Sequence, residues 1–298
     1  MGCHTMVLQR NRTSGVRKIL TAALAFCALS GAAWGEQTTN STFPRIVSLA
    51  PSVTETLFAV GAGEQLVGVC TFCDFPRAVA HLDRVGSYLA PNVEAIVAKA
   101  PDVVIGVPPN NPEAVAALRR AGRRVVIVQV DTIEQIETAM RTIAHEAGRD
   151  AQGEALLEEV HGHMAAVRAR LDDAPQRRVL LLVGQNPLIA VGSGIFLNEL
   201  IEQAHGVNLA AGTGQQWPRL SLEFAVASQP EVIIDSSMGS DETDKPQRLG
   251  IWRNFPALPA VRNGRLYGRR SDTLLRPGPR LAEGFEELAR LIHPECFQ

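Results

Sequence analysis

The chain has 298 residues, 46% of them apolar and 20% charged, with a formal charge of −2 at pH 7. That length can bury a full core in one or two domains, and the composition is that of an ordinary soluble globular protein. The absence of a basic excess argues against nucleic acid as the partner.

The first 35 residues differ in kind from the rest. Arg10, Arg12, Arg17 and Lys18 precede an apolar run, Ile19–Leu29, and Ala33 and Gly35 stand at the −3 and −1 positions of a cut before Glu36. This is the pattern of a cleavable secretory signal, and the run is too short to span a membrane. Phe26 occupies the position before Cys27 where a lipoprotein signal requires a small residue. A soluble exported protein is therefore expected, and loss of four positive charges with residues 1–35 takes the formal charge from −2 to −6. Three cysteines then remain, Cys70, Cys73 and Cys296. An odd number leaves at least one unpaired in a monomer. The lone C-x-x-C of Cys70 and Cys73 reads as a strand end and its loop.

Residues 36–43 read as a flexible start. From there strand and helix signals alternate, which predicts a largely parallel α/β sheet. Arg45–Ala50 and Leu66–Cys70 read as strands flanking a helix stopped by Gly61 and Gly63. Val103–Ile105 follows as a strand, then a helix over Pro112–Arg120 and a strand over Val125–Val130. From Asp150 to Asp173 the rhythm breaks. Leu156, Val160, Met164, Val167 and Leu171 recur at helical spacing, predicting one long helix stopped by Pro175. Alternation resumes with a strand at Arg178–Val183 and a helix at Phe196–Gln203 that Gly206 closes. Ser236–Arg248 reads as a polar loop, Arg265–Gly268 as a strand and Pro279–Ile292 as a terminal amphipathic helix. The expected organisation is an N-terminal lobe over 44–149, a connecting helix over 150–174 and a C-terminal lobe over 175–298.

A repeat supports two similar lobes. Asn92–Ile105 and Ser221–Ile234 align without a gap and share six identical residues, among them Glu94 with Glu223 and Pro101 with Pro230. Each copy reads as a capped helix, a proline stop and a buried strand. Each glutamate falls in the first helical turn, where the macrodipole favours a negative charge. Capping alone accounts for either glutamate; docking of both on a partner is the functional alternative.

Catalytic signatures are missing: there is no G-x-S-x-G, H-E-x-x-H, P-loop or G-x-G-x-x-G. His161 and His163 are two residues apart on a helix, so their side chains diverge and cannot easily share one ion. No enzyme activity and no bound metal are expected. Tyr88 and Trp217 each stand six residues before the repeat glutamate of their lobe. Each would lie in a loop at the carboxyl end of a strand, the side on which open α/β sheets bind ligands. One large ring from each lobe suits a planar or macrocyclic ligand.

Arg45–Val69, Cys73–Pro76, Val93–Ile105 and Ser271–Arg280 together resemble the helical-backbone class of bacterial substrate-binding proteins, which serve ABC importers of cobalamin and ferric siderophores. The resemblance covers essentially the whole mature chain. It implies a periplasmic, non-enzymatic carrier, two α/β lobes joined by one long helix, and a ligand held between them.

 Within the family one glutamate per lobe docks on the two permease subunits, which by motif match are Glu94 and Glu223. Gln216-Trp217-Pro218 is similar to the cobalamin-binding branch, and the same match lines the cleft with Phe72, Tyr88, Asn186, Pro187, Trp217, Asp272 and Arg276. Tyr88 and Phe72 replace a tryptophan and a tyrosine of that branch, and its single disulfide has no evident counterpart here. The expectation is a monomer that carries a corrinoid, cobalamin first, to an ABC importer with its ATPase subunits. A ferric siderophore is the alternative cargo.

Overall fold

The computed structural model describes residues 43–237, 245–269 and 271–298. The expected leader and the segment up to residue 42 lie outside these residues.

The first sheet has the order β2-β1-β3-β4 and is parallel throughout: β1 Ile46–Ser48, β2 Leu66–Val69, β3 Val103–Gly106 and β4 Arg124–Ile127. Every residue of β1 and β3 is buried, the pattern of central strands covered on both faces. Helices α1 (Pro51–Ala59), α2 (Val93–Ala98) and α3 (Pro112–Arg120) connect them.

The second sheet is built on β5 (Arg177–Gln185), which pairs in parallel with β8 (Val232–Asp235), itself parallel to β9 (Leu266–Gly268). The other edge of β5 is shared. Its first residues pair in parallel with β7 (Gly206–Asn208) and its last ones with the antiparallel hairpin strand β6 (Leu188–Ala190). The sheets are therefore mainly parallel, as expected.

Several details differ from the sequence expectation, among them β4, which stops at Ile127 and not Val130. Gly206 does not close α6 (Phe196–Gln203); it opens β7, and the helix is capped by Ala204 followed by His205 at φ 54°. Lys245–Arg253 forms α8, so the expected polar loop does not reach Arg248, and its middle, 238–244, lies outside the described residues. The long helix α5 spans Asp150–Ala169, 20 residues or about 30 Å, and ends earlier than its apolar stripe predicts.

The main addition is α4 (Ile133–Glu146), capped by the Thr132 hydroxyl, which accepts from the Gln135 N–H. Ile136 and Met140 of α4 enter the core shared by α5, the terminal helix α11 (Leu281–Ile292) and the second sheet. Ala139 and Ile143 enter the core beneath the first sheet. Rows three and four residues apart on one helix thus serve both lobes. Hydrogen bonds reinforce the joint: Phe196 N–H donates to the Asp131 carbonyl at 2.5 Å, and Ile133 N–H to the side-chain Oε2 of Glu199 at 3.0 Å. The long helix α5 joins the two lobes, and α4 packs into the cores of both.

Candidate ligand cleft

On the first lobe, the β2 end runs into a tight turn, Cys70–Cys73, with Phe72 near its tip and 59% exposed. Tyr88 lies in the following loop, whose close return is allowed by Gly86 at φ +102°. A Cβ there would meet the Asn92 nitrogen at 2.5 Å. The Tyr88 hydroxyl donates to the Pro108 carbonyl at 2.5 Å, and the Asn110 amide donates to the Tyr88 carbonyl at 2.7 Å. Burial, helped by the negative charge of Asp131, pushes the Tyr88 phenol up to about 12.

On the second lobe, Asn186 and Pro187 form the exposed tip between β5 and β6. The segment bearing Trp217 returns alongside β6. Leu220, Ala190 and Gly192 donate their N–H groups to the carbonyls of Leu188, Pro218 and Gln216 at 2.9, 3.0 and 2.8 Å. Gly192 is required there, because a Cβ would collide with the Gln215 carbonyl. Trp217 is left 47% exposed and belongs to none of the buried clusters. The tip with Asn186 and the Trp217 segment thus form one adjoining surface.

Arg276 and Asp272 sit at the junction of the lobes, in an ionic network that sequence patterning does not reveal. Glu55 of α1 is 3% exposed. It accepts from Arg276 Nη1 at 2.9 Å and from Arg280 Nε and Nη2 at 2.8 and 2.9 Å. Arg276 also holds both oxygens of Asp74, at 2.6 and 3.1 Å, and reaches Asp272 at 3.0 Å. Phe75 stacks under the Arg280 guanidinium at 4.3 Å. Burial works against the charge of Arg276, but Asp74, Glu55 and Asp272 outweigh it and raise its pKa above the ordinary value. Hydrogen bonding to Arg276 in turn draws Asp74 down. Two guanidiniums face three carboxylates, so the network offers no spare positive charge. Its sequence trace is slight: an acidic residue among hydroxyl side chains in the first turns of α1, and two arginines four apart.

A cavity of about 390 Å³ opens beside this network, lined by Phe58, Phe75, Leu156, Val160, His163 and Arg280 among others. Faces of α1, α5 and α11 line it together with Phe75 and Pro76 of the loop after β2, and Phe72, Tyr88, Asn186 and Trp217 take no part in it. It is a hinge-side crevice distinct from the expected cleft. His161 and His163 do diverge, toward Glu137 of α4 at 2.8 Å and Glu286 of α11 at 2.7 Å. Among the described residues no cluster of His, Cys, Asp or Glu is arranged to hold a metal ion.

The two repeat copies agree in detail. The Asn92 side chain accepts from the Ala95 N–H, and the Ser221 side chain from the Phe224 N–H. Ile96 and Ala225, at the same repeat position, are fully buried. Ala100 and Gln229, again equivalent, adopt φ 45° and 50° just before the proline. Glu94 and Glu223 are both exposed. The Glu223 carboxylate is held below its usual range by its own backbone N–H and by the Ser221 hydroxyl.

Two α/β lobes joined by a long helix, each presenting loops from strand ends, define a solute-binding protein. The chain matches the periplasmic binding protein family over residues 46–273 and belongs to it; it is a binding protein and not an enzyme. It is 27% identical over 260 residues to the vitamin B12-binding protein of Vibrio parahaemolyticus, covering 84% of this chain and 92% of that one. Among solved structures it is similar to the periplasmic vitamin B12 binding protein BtuF of Vibrio cholerae, with a TM-score of 0.75, 28% identity, and coverage of 86% and 99% of the two chains. It is also similar to the periplasmic heme-binding protein RhuT from Roseiflexus sp. RS-1, with a TM-score of 0.76, 28% identity, and coverage of 85% and 99%.

Proposed function

We propose that the protein captures a corrinoid, cobalamin first, in the periplasm and delivers it to an ABC importer. The observation that carries this reading is the pairing of exposed rings, Phe72 on one lobe and Trp217 on the other, with a neutralised arginine network between the lobes. Apolar contact with a large macrocycle would supply most of the affinity. The likeness to two vitamin B12-binding proteins supports the same cargo. An anionic ferric siderophore would call for free cations, and Arg276 and Arg280 are already bound to carboxylates.

Heme is a second reading, supported by the likeness to RhuT. Against it, the Tyr88 phenol is pushed up to about 12 and its hydroxyl is committed to Pro108, so an iron-ligating phenolate is disfavoured. Delivery would use Glu94 and Glu223 as matched acidic contacts on the permease, the carrier acting as a monomer after loss of a leader over residues 1–35. The test is calorimetric titration with cyanocobalamin, with hemin and a ferric hydroxamate siderophore run in parallel. Saturable one-to-one binding of the corrinoid alone is expected; binding of hemin or the siderophore with silence toward the corrinoid would replace the cargo.

A further inference from the structure

Two thiols of the first lobe face each other in the interior. Cys70 and Cys73 are both buried, with their sulfur atoms 3.0 Å apart. The Cys73 N–H donates to the Cys70 carbonyl at 3.1 Å. That closes a four-residue turn whose end Cα atoms come within about 7 Å, the reach of a disulfide. Neighbours hold the turn in place. Arg84 donates to the Cys73 and Cys70 carbonyls at 2.6 and 3.3 Å, and the Thr54 hydroxyl donates to the Cys73 sulfur at 3.1 Å. Cys296 packs with the core of the other lobe and does not compete for either thiol.

We propose that Cys70 and Cys73 are a redox pair that closes into an intramolecular disulfide in the exported protein, clasping the turn that carries Phe72 and leads into Asp74. The periplasm is an oxidising compartment in which such bonds form and persist. The oxidant is a disulfide, either oxidised glutathione or the disulfide of an oxidoreductase. The Cys70 thiolate attacks one of its sulfurs and displaces a thiolate, leaving a mixed disulfide on Cys70. Cys73 then gives up its proton to the displaced thiolate, and its sulfur attacks Cys70 Sγ and releases the second half of the oxidant as a thiol. Two protons and two electrons leave the protein, and one disulfide becomes two thiols.

The order of attack follows from the pair's own contact. Hydrogen bonding from Cys73 draws the Cys70 pKa down, while the same contact and burial push Cys73 up. The turn lies beside the lobe junction, since Asp74 binds Arg276 and Phe75 stacks on Arg280. A cross-link therefore restricts the segment between the ligand side of the first lobe and its ionic tie to the second.

Trypsin releases both cysteines in one peptide, Ile46–Arg77, because no Lys or Arg lies between Arg45 and Arg77. The full chain is unfolded and refolded in oxidised glutathione, so that burial cannot shield the thiols, then alkylated and digested. The expected peptide is two hydrogens lighter than the dithiol form and takes no label on either cysteine until reductant is added. A doubly alkylated peptide, or one bearing glutathione on each cysteine, overturns the proposal. In the same chain, reductant is expected to lower the thermal midpoint by about 3–6 °C, a response that Cys73→Ser removes. A midpoint indifferent to reductant would refute the clasp.

Discussion

Arg280 grips Glu55 with two hydrogen bonds, from Nε at 2.8 Å and from Nη2 at 2.9 Å, across the junction of the two lobes. Glu55 is the better buried partner and also accepts from Arg276, so its carboxylate ties both arginines to the first lobe.

Glu55→Ala leaves two guanidiniums facing a gap where their shared acceptor stood. Breaking a buried pair from one side costs about 3–5 kcal/mol, and the partial exposure of both arginines places this case near about 3 kcal/mol. Urea unfolding should show the loss as a lower midpoint with an unchanged slope. A shift worth less than about 1 kcal/mol would mean that the network contributes little to holding the lobes together.

The Arg276–Asp74 bond makes a prediction about acid. Hydrogen bonding to Arg276 holds Asp74 below its ordinary value of 3.8. The folded state therefore binds this proton less readily than the unfolded state. Its contribution is fully present above pH 3.8 and is lost as pH falls through the lower folded value. Asp74 is largely exposed, so the gain should stay below about 1 kcal/mol. Unfolding midpoints of the unsubstituted chain and Asp74→Asn should differ near neutral pH and converge below the ordinary carboxylate range. A gap that persists in acid would assign the stabilisation to something other than this charge.

Trp217 is exposed and outside the buried clusters. Trp217→Ala should therefore leave stability within about 0.5 kcal/mol. If its ring stacks on the cargo, corrinoid affinity should fall several-fold or more in calorimetry. Unchanged affinity would remove Trp217 from the cleft.

The docking role proposed for Glu94 and Glu223 can be tested apart from capture. Glu94→Ala and Glu223→Ala should each weaken ligand-dependent stimulation of the importer's ATPase activity, while cyanocobalamin titrations stay the same. Both helices keep their Asn92 and Ser221 caps, so stability should change little. Loss of ligand binding in either variant would overturn the docking role.

Much of the fold was legible because its signals are local. Pro112–Arg120 and Phe196–Gln203 form helices with the expected bounds, set by caps, proline and apolar spacing. The repeat forecast two equivalent helix–strand units, and they agree down to the left-handed residues Ala100 and Gln229. Gly206 shows where local reading fails. A glycine after a helix usually stops it, yet here the backbone goes straight into pairing with β5, and only that partner turns the segment into a strand. For α4 the local signal existed in Ile136, Ala139, Met140 and Ile143, but nothing in its spacing says that adjacent rows serve different cores.

By itself the sequence determined the alternation of strands and helices and the two equivalent capped glutamates. These follow from contacts a few residues apart, where spacing along the chain is distance in space. Tertiary structure alone decided what Arg276 does. Its partners Glu55 and Asp74 lie 221 and 202 residues away in the chain. Only folding brings those charges within hydrogen-bond reach, and in doing so it converts a free cation of the sequence into a neutralised tie between the lobes.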